Sequence, residues 1–166
     1  MKKTYVTLLF IVLAISLFPQ ESRAQFVFGI KGGLTTLAGL DGCLAGGAVT
    51  VGKQMKMTSL QADFGYCPAA ANVDLSCLLR IYGNKDHSTD VYLGAGLTAE
   101  IRLHDAGKNE LMAGAFPVLQ AEQFISKRIS LYADVRTPFM FFMDEDRMSA
   151  RFAAGIRCLL YKEEKR

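Results

Sequence analysis

The chain has 166 residues, 51% of them hydrophobic and 21% charged, with 15 Gly and only 4 Pro. That composition excludes a disordered tail, a collagen-like repeat and a coiled coil, and the length suits one domain with or without a targeting segment. Nineteen Lys and Arg against 16 Asp and Glu give a formal +3, short of the clustered basic excess of a nucleic-acid binder, while two His leave little for a metal site or a catalytic triad.

The first 24 residues read as a secretory signal rather than as fold. Lys2 and Lys3 form a positive start, Tyr5 to Phe18 is an almost uninterrupted apolar run, and Pro19 ends it. Ser22-Arg23-Ala24 then offers small residues to a signal peptidase, so cleavage is expected before Gln25. The apolar run is shorter than the ~20 residues that a helical bilayer span needs. Without Lys2, Lys3, Arg23 and Glu21 the mature chain, residues 25–166, is close to neutral. No later stretch is long and apolar enough to span as a helix, so the mature protein is expected to be either soluble outside the cytoplasm or a membrane protein built of strands.

From Gln25 onward the apolar residues recur at every second position, which is the period of a strand. The first run sets Phe26, Phe28 and Ile30 opposite Val27, Gly29 and Lys31. The second, Leu44 to Lys53, is rich in Gly and Ala, and its faces stay open. Leu60, Ala62, Phe64 and Tyr66 alternate with Gln61, Asp63 and Gly65. Val73 to Ile81 alternates with Asp74, Ser76, Leu78 and Arg80. Val91 to Leu103 alternates with Tyr92, Gly94, Gly96, Thr98, Glu100 and Arg102. Gly114 to Ile125 carries Pro117, a weak point for a strand. Ile129 to Val135 alternates with Ser130, Tyr132, Asp134 and Arg136, and Phe152 to Leu160 with Arg151, Gly155 and Arg157. Turn-rich stretches separate these runs at 35–42, 83–90, 104–109 and 144–149. Ser126-Lys127-Arg128 predicts a tight hairpin that sets Gln120 opposite Asp134.

Eight meandering strands with one apolar face predict a closed up-and-down barrel without exposed edges. The apolar face either lines a cavity, as in a lipocalin-like carrier, or meets lipid, as in an outer-membrane barrel. The second reading is preferred on three grounds. The polar face carries both signs, Lys31, Arg80, Arg102, Arg136, Arg151 and Arg157 against Asp63, Asp74, Glu100, Glu122 and Asp134, as a narrow interior requires if buried charges are to be paired. It is also rich in Gly, which suits crowding, and the apolar face holds many Ala, which suits lipid contact. The expected interior ion-pair network is Lys31, Asp63, Arg80, Glu100, Arg102, Glu122, Asp134, Arg136 and Arg157. The predicted fold is therefore an all-β, eight-stranded antiparallel transmembrane barrel with a polar-filled interior, spanning residues 25–166.

Phe28-Gly29-Ile30-Lys31-Gly32-Gly33, Val91-Tyr92-Leu93-Gly94-Ala95-Gly96 and the arginine-bearing last strands resemble the small outer-membrane β-barrel proteins. A narrower likeness runs through Gly114, Ala115, Glu122, Phe124-Ile125-Ser126, Arg128-Ile129, Leu131, Ala133 and Val135-Arg136. This segment resembles the C-terminal half of the TraO family of conjugative transposons, signal-bearing envelope proteins of strand-rich character. Ala153-Ala154-Gly155-Ile156-Arg157 fits that family's closing strand, whereas residues 35–72 show no correspondence. The resemblance implies a conjugation-associated envelope protein whose partners are outer-membrane lipid and other proteins of the transfer apparatus. A stand-alone envelope barrel of the OmpX type is the alternative, and a secreted lipocalin-like carrier comes third.

Four cysteines in an exported chain raise the question of disulfides. Cys43 and Cys67 flank a hairpin expected to turn near Met55, which would set them opposite each other at the ~4.5–5.5 Å Cβ separation of paired strands. A shifted register leaves both thiols free. Cys77 and Cys158 read as small lipid-facing hydrophobes. No Cys-x-x-Cys motif is present, and His87 and His104 stand alone in turns, so no metal site is expected. Neither glycine run opens a helix, so no phosphate-binding loop and no cofactor are expected. The carboxylates are more economically paired with arginine than used in acid–base work, so no catalytic residue is assigned and the protein is read as no enzyme. Asp144-Glu145-Asp146 reads as a solvated acidic loop tip, and Phe139, Phe141 and Phe142 as an aromatic band at the membrane surface.

Overall fold

The computed structural model describes residues 25–36, 43–55, 57–84, 88–103, 109–141 and 149–160, and every regular element among them is a strand. The expected signal at 1–24, both histidines, Phe142 and Asp144-Glu145-Asp146 lie outside the described residues. The strands are β1 (Gln25–Thr36), β2 (Cys43–Gln54), β3 (Thr58–Cys67), β4 (Ala70–Gly83), β5 (Thr89–Arg102), β6 (Glu110–Phe124), β7 (Ile129–Arg136), β8 (Phe139–Phe141) and β9 (Ala150–Leu160). β1 to β6 pair antiparallel in chain order, β6 also pairs with both β7 and β8, β7 pairs with β9, and β9 closes on β1.

β7 and β8 form a single stave. Both pair with β6 in one continuous register, Val118↔Arg136 on one side of the break and Ala115↔Phe139 on the other. The break falls at Thr137-Pro138, across from Pro117, and neither proline has an N–H to give the ladder. The barrel thus has eight staves, as the period-two pattern predicts. The chain runs further along this stave than the alternation alone suggests, and β6 begins four residues before the expected Gly114.

Closure can be followed residue by residue. Starting at Gln25, successive cross-strand partners are Gln54, Ser59, Leu78, Gly94, Val118, Arg136 and Arg151, and the partner of Arg151 on β1 is Thr35. The circuit returns ten residues along β1 from where it began. A stagger of that size in an eight-stranded barrel goes with strands tilted roughly 35–45° and an interior just wide enough for side chains to fill.

The faces follow the alternation. Phe26, Phe28, Leu75, Leu97, Leu131 and Ile156 are exposed on the outside, while Asp63, Asp74, Glu100, Glu122, Asp134 and Arg157 are buried within. β2, left open by its composition, turns Thr50 and Gln54 inward and Val49, Val51 and Lys53 outward. Two ends result. A turn end gathers Gln25, Gln54, Thr58, Gly83, Thr89, Phe124, Ile129 and Leu160; a loop end gathers Thr36, Cys43, Cys67, Ala70, Arg102, Glu110, Phe141 and Ala150.

Of the two readings of Cys43 and Cys67, a disulfide or a shifted register with both thiols free, the structure has the second. Gly47 pairs with Tyr66, and Cys67 lies beside Gly46, whereas Cys43 lies across from Thr36. The register differs from the expected one by three residues, an odd number, and an odd slip sends a side chain to the other face. Cys43 is therefore exposed outside and Cys67 buried inside, and no disulfide joins them.

Candidate functional site: the charged barrel interior

The ion pairs seen among the described residues bring together six cationic and six anionic side chains, a formal balance of charge. They occupy three levels. Nearest the loop end, one continuous chain of pairs runs through eight residues. Arg102 bonds Glu100 at 3.2 Å, Glu100 meets Arg151, and Arg151 meets Asp74 at 3.0 Å. Asp74 meets Arg136 at 3.0 Å, and Arg136 also grips Asp134 at 3.0 Å and Asp63. Lys31 closes the chain from the opposite wall, 2.8 Å from Asp134 and 3.1 Å from Asp63. These residues stand at alternate positions of six staves, so only closure of the barrel assembles them.

The middle level is built around Arg157, which is fully buried. It reaches Glu122 at 3.3 Å, donates to the side-chain carbonyls of Gln61 and Gln120, and stacks over the Tyr132 ring at 4.1 Å. Ser130 donates to the other oxygen of Glu122, and Tyr132 shares a 2.9 Å hydrogen bond with Thr50, which in turn bonds Asp63 and ties this level to the one above. At the turn end Arg80 meets Asp90 at 3.4 Å, Tyr92 donates to the same carboxylate, and Gln54 donates to the Tyr92 hydroxyl at 2.6 Å. Leu78, Tyr92, Phe116 and Val118 form the apolar part of the filling, and Arg136 lies over Phe116 at 5.3 Å.

Each of the nine interior residues named from the sequence makes an ion pair in this arrangement. Asp74 and Arg151, read as polar-face charges, join them as links of the upper chain. Asp90 was missed: the turn-rich composition of residues 83–90 places it in a link, whereas it is the second residue of β5 and 3% exposed. Thr50, Gln61, Gln120 and the two tyrosines were not singled out, although all but Thr50 stand at inward positions of legible alternations.

Small residues make this crowding possible. A Cβ at Gly96 would run into the Phe116 ring, and one at Gly155 into the Lys31 backbone and side chain. What space remains at the loop end is a cavity of about 60 Å³ bordered by Lys31, Asp63, Arg136, Gly46 and Gly65, room for a few water molecules and no more. The interior is charged and filled, which removes the apolar cavity that a lipocalin-like carrier needs. Among the described residues no group of three or more His, Cys, Asp or Glu is arranged to hold a metal ion.

No family model matches the chain, and no curated protein sequence does either. Among solved structures it is similar to Neisserial surface protein A, at 12% identity and a TM-score of 0.63 over 82% of this chain and 97% of that one. It is also similar to the N-terminal β-barrel domain of Pseudomonas aeruginosa OprF, at 14% identity and a TM-score of 0.57 over 81% of this chain and 99% of that domain. At such identities the likeness is one of fold.

Proposed function

We infer that the chain is a non-catalytic β-barrel of the outer membrane, exported by a signal spanning residues 1–24 and holding both mature termini in the periplasm. The observation that carries this reading is the inversion of burial. Among the described residues 20 polar or charged side chains are buried against 11 hydrophobic ones, while exposed Phe, Leu, Ile and Val recur around the outside. Water tolerates contiguous apolar patches of only a few hundred Å², and a belt of this kind suits hydrocarbon instead. Exposed aromatics collect toward both ends, Tyr66, Phe139, Phe141 and Phe152 toward the loops, Phe26, Phe28 and Tyr82 toward the turns, as expected of side chains at the two bilayer surfaces. The barrel acts through its walls and rims, as an envelope element that binds or braces other components. The test is fractionation followed by gel mobility with and without boiling. The expected result is recovery in outer membranes and a heat-dependent shift; recovery in the soluble periplasm overturns the reading.

A finer reading makes this barrel an accessory component of a conjugative DNA-transfer apparatus. It is supported by the segment Gly114 to Arg136, which occupies the β6–β7 hairpin. A stand-alone envelope barrel of the OmpX type fits the same fold equally well. Flanking transfer genes, and a fall in conjugation frequency on deletion of this chain, favour the first; an isolated gene and unchanged transfer favour the second.

A further inference from the structure

The outer wall carries one feature that a uniform lipid-facing belt does not explain. Among the described strand residues whose side chains point outward, Lys53 alone is charged. It is the penultimate residue of β2, between Phe26 and Leu60 in the register, close to the turn end. Beside it an apolar groove of about 530 Å³ opens across β2 to β5. That volume lies in the roughly 300–1,000 Å³ range of sites that hold a small molecule.

The groove has a definite construction. Val51, Leu75 and Leu97 stand out as its walls, while Ala62, between Val51 and Leu75 in the register, and Ala95, on the row of Lys53, leave its floor low. An ammonium in the hydrocarbon band is costly at mid-depth and nearly free at its edge, where the four-carbon stem lies along apolar surface and the head reaches the polar layer. Lys53 stands at that edge, and the groove runs from its stem toward the middle of the wall.

We propose that this groove holds an acyl chain of an anionic phospholipid from the leaflet at the turn end, with the lipid phosphate on the Lys53 ammonium. The two parts match the two ends of that ligand, an anionic head at the rim and a flexible hydrocarbon chain below it. This rests on the reading of the barrel as a membrane protein, under which the turn end faces the periplasm.

The test uses the mature barrel in mild detergent doped with phosphatidylglycerol or phosphatidylcholine, with retained lipid counted by native mass spectrometry. The unmodified protein should retain phosphatidylglycerol in preference, and Lys53→Gln should weaken that retention roughly fivefold, the effect of one basic residue at an anionic surface. Ala62→Phe with Ala95→Phe, which fills the floor, should abolish retention of both lipids while leaving the heat-dependent gel shift intact. Equal retention of phosphatidylglycerol by the unmodified protein and Lys53→Gln overturns the headgroup contact. Retention unaffected by the filling variant, or a dimer that the filling variant dissolves, overturns the acyl-chain site. Insertion into lipid vesicles is scored first on the same proteins: failure there overturns the membrane reading together with the site, whereas insertion without selective retention overturns the site alone.

Discussion

Single residues in this barrel are held by partners on distant staves, so the cost of removing one is set by what it leaves behind. Glu100 is fully buried between Arg102 and Arg151. Glu100→Ala takes one carboxylate from each of two buried cations, Arg102 and Arg151, and breaking a buried pair from one side costs several kcal/mol. We expect a loss of about 3 kcal/mol in urea unfolding of the refolded protein, less where water enters from the loop end. On the surface of a soluble carrier the same change would cost at most about 1 kcal/mol, so an undetectable loss would contradict the filled interior. The cysteines report on each face. In membranes an aqueous maleimide should label Cys43, exposed at the loop end, and spare Cys67, buried inside, with all four thiols reacting after unfolding. A non-reducing peptide map that joins the Cys43 and Cys67 peptides would show the β2–β3 register to be wrong.

At the level of elements, each stave is a two-sided object whose inner face must be thin wherever a large neighbour crosses it. Gly96 on β5 faces the Phe116 ring from β6, and its partners on the two sides are Ser76 and Phe116. Gly96→Val should displace that ring and lose about 1–3 kcal/mol by overpacking, measured as a lower urea midpoint with the gel shift retained. The alternation shows why most elements were legible from sequence: a run such as Val91 to Leu103 permits one assignment of faces. β2 was not legible, because Gly46, Gly47, Ala48 and Gly52 give its two faces nearly the same hydropathy. Only its pairing with β1 and β3 turns Thr50 inward. The β7–β8 stave was cut short for a related reason, since Thr137-Pro138 looks like an end while its register with β6 resumes beyond.

The whole molecule sets a filled interior, charge-balanced among the described residues, inside an apolar wall. Leu97 lies near the middle of β5 on that wall, 42% exposed. Leu97→Arg should lose roughly 2–4 kcal/mol of stability in lipid vesicles, the cost of a guanidinium near mid-membrane. Because three levels of ion pairs cross the lumen and the cavity at the loop end is only about 60 Å³, the barrel should give no steady pore conductance in a planar bilayer. A long-lived open level would show that the filling is displaced in the membrane.

The sequence by itself determined the fold class, the sidedness of most strands and the supply of both charges to one face, because side-chain direction in a strand has a period of two and needs no tertiary information. The tertiary structure alone decided which charges meet. Arg136 reaches Asp63, Asp74 and Asp134 from three other positions on the wall, and Lys31 reaches Asp134 across 103 residues of chain. Those meetings depend on the ten-residue stagger at which β1 closes on β9. That stagger is a property of all eight pairings together, and a three-residue error in one of them was enough to part Cys43 from Cys67.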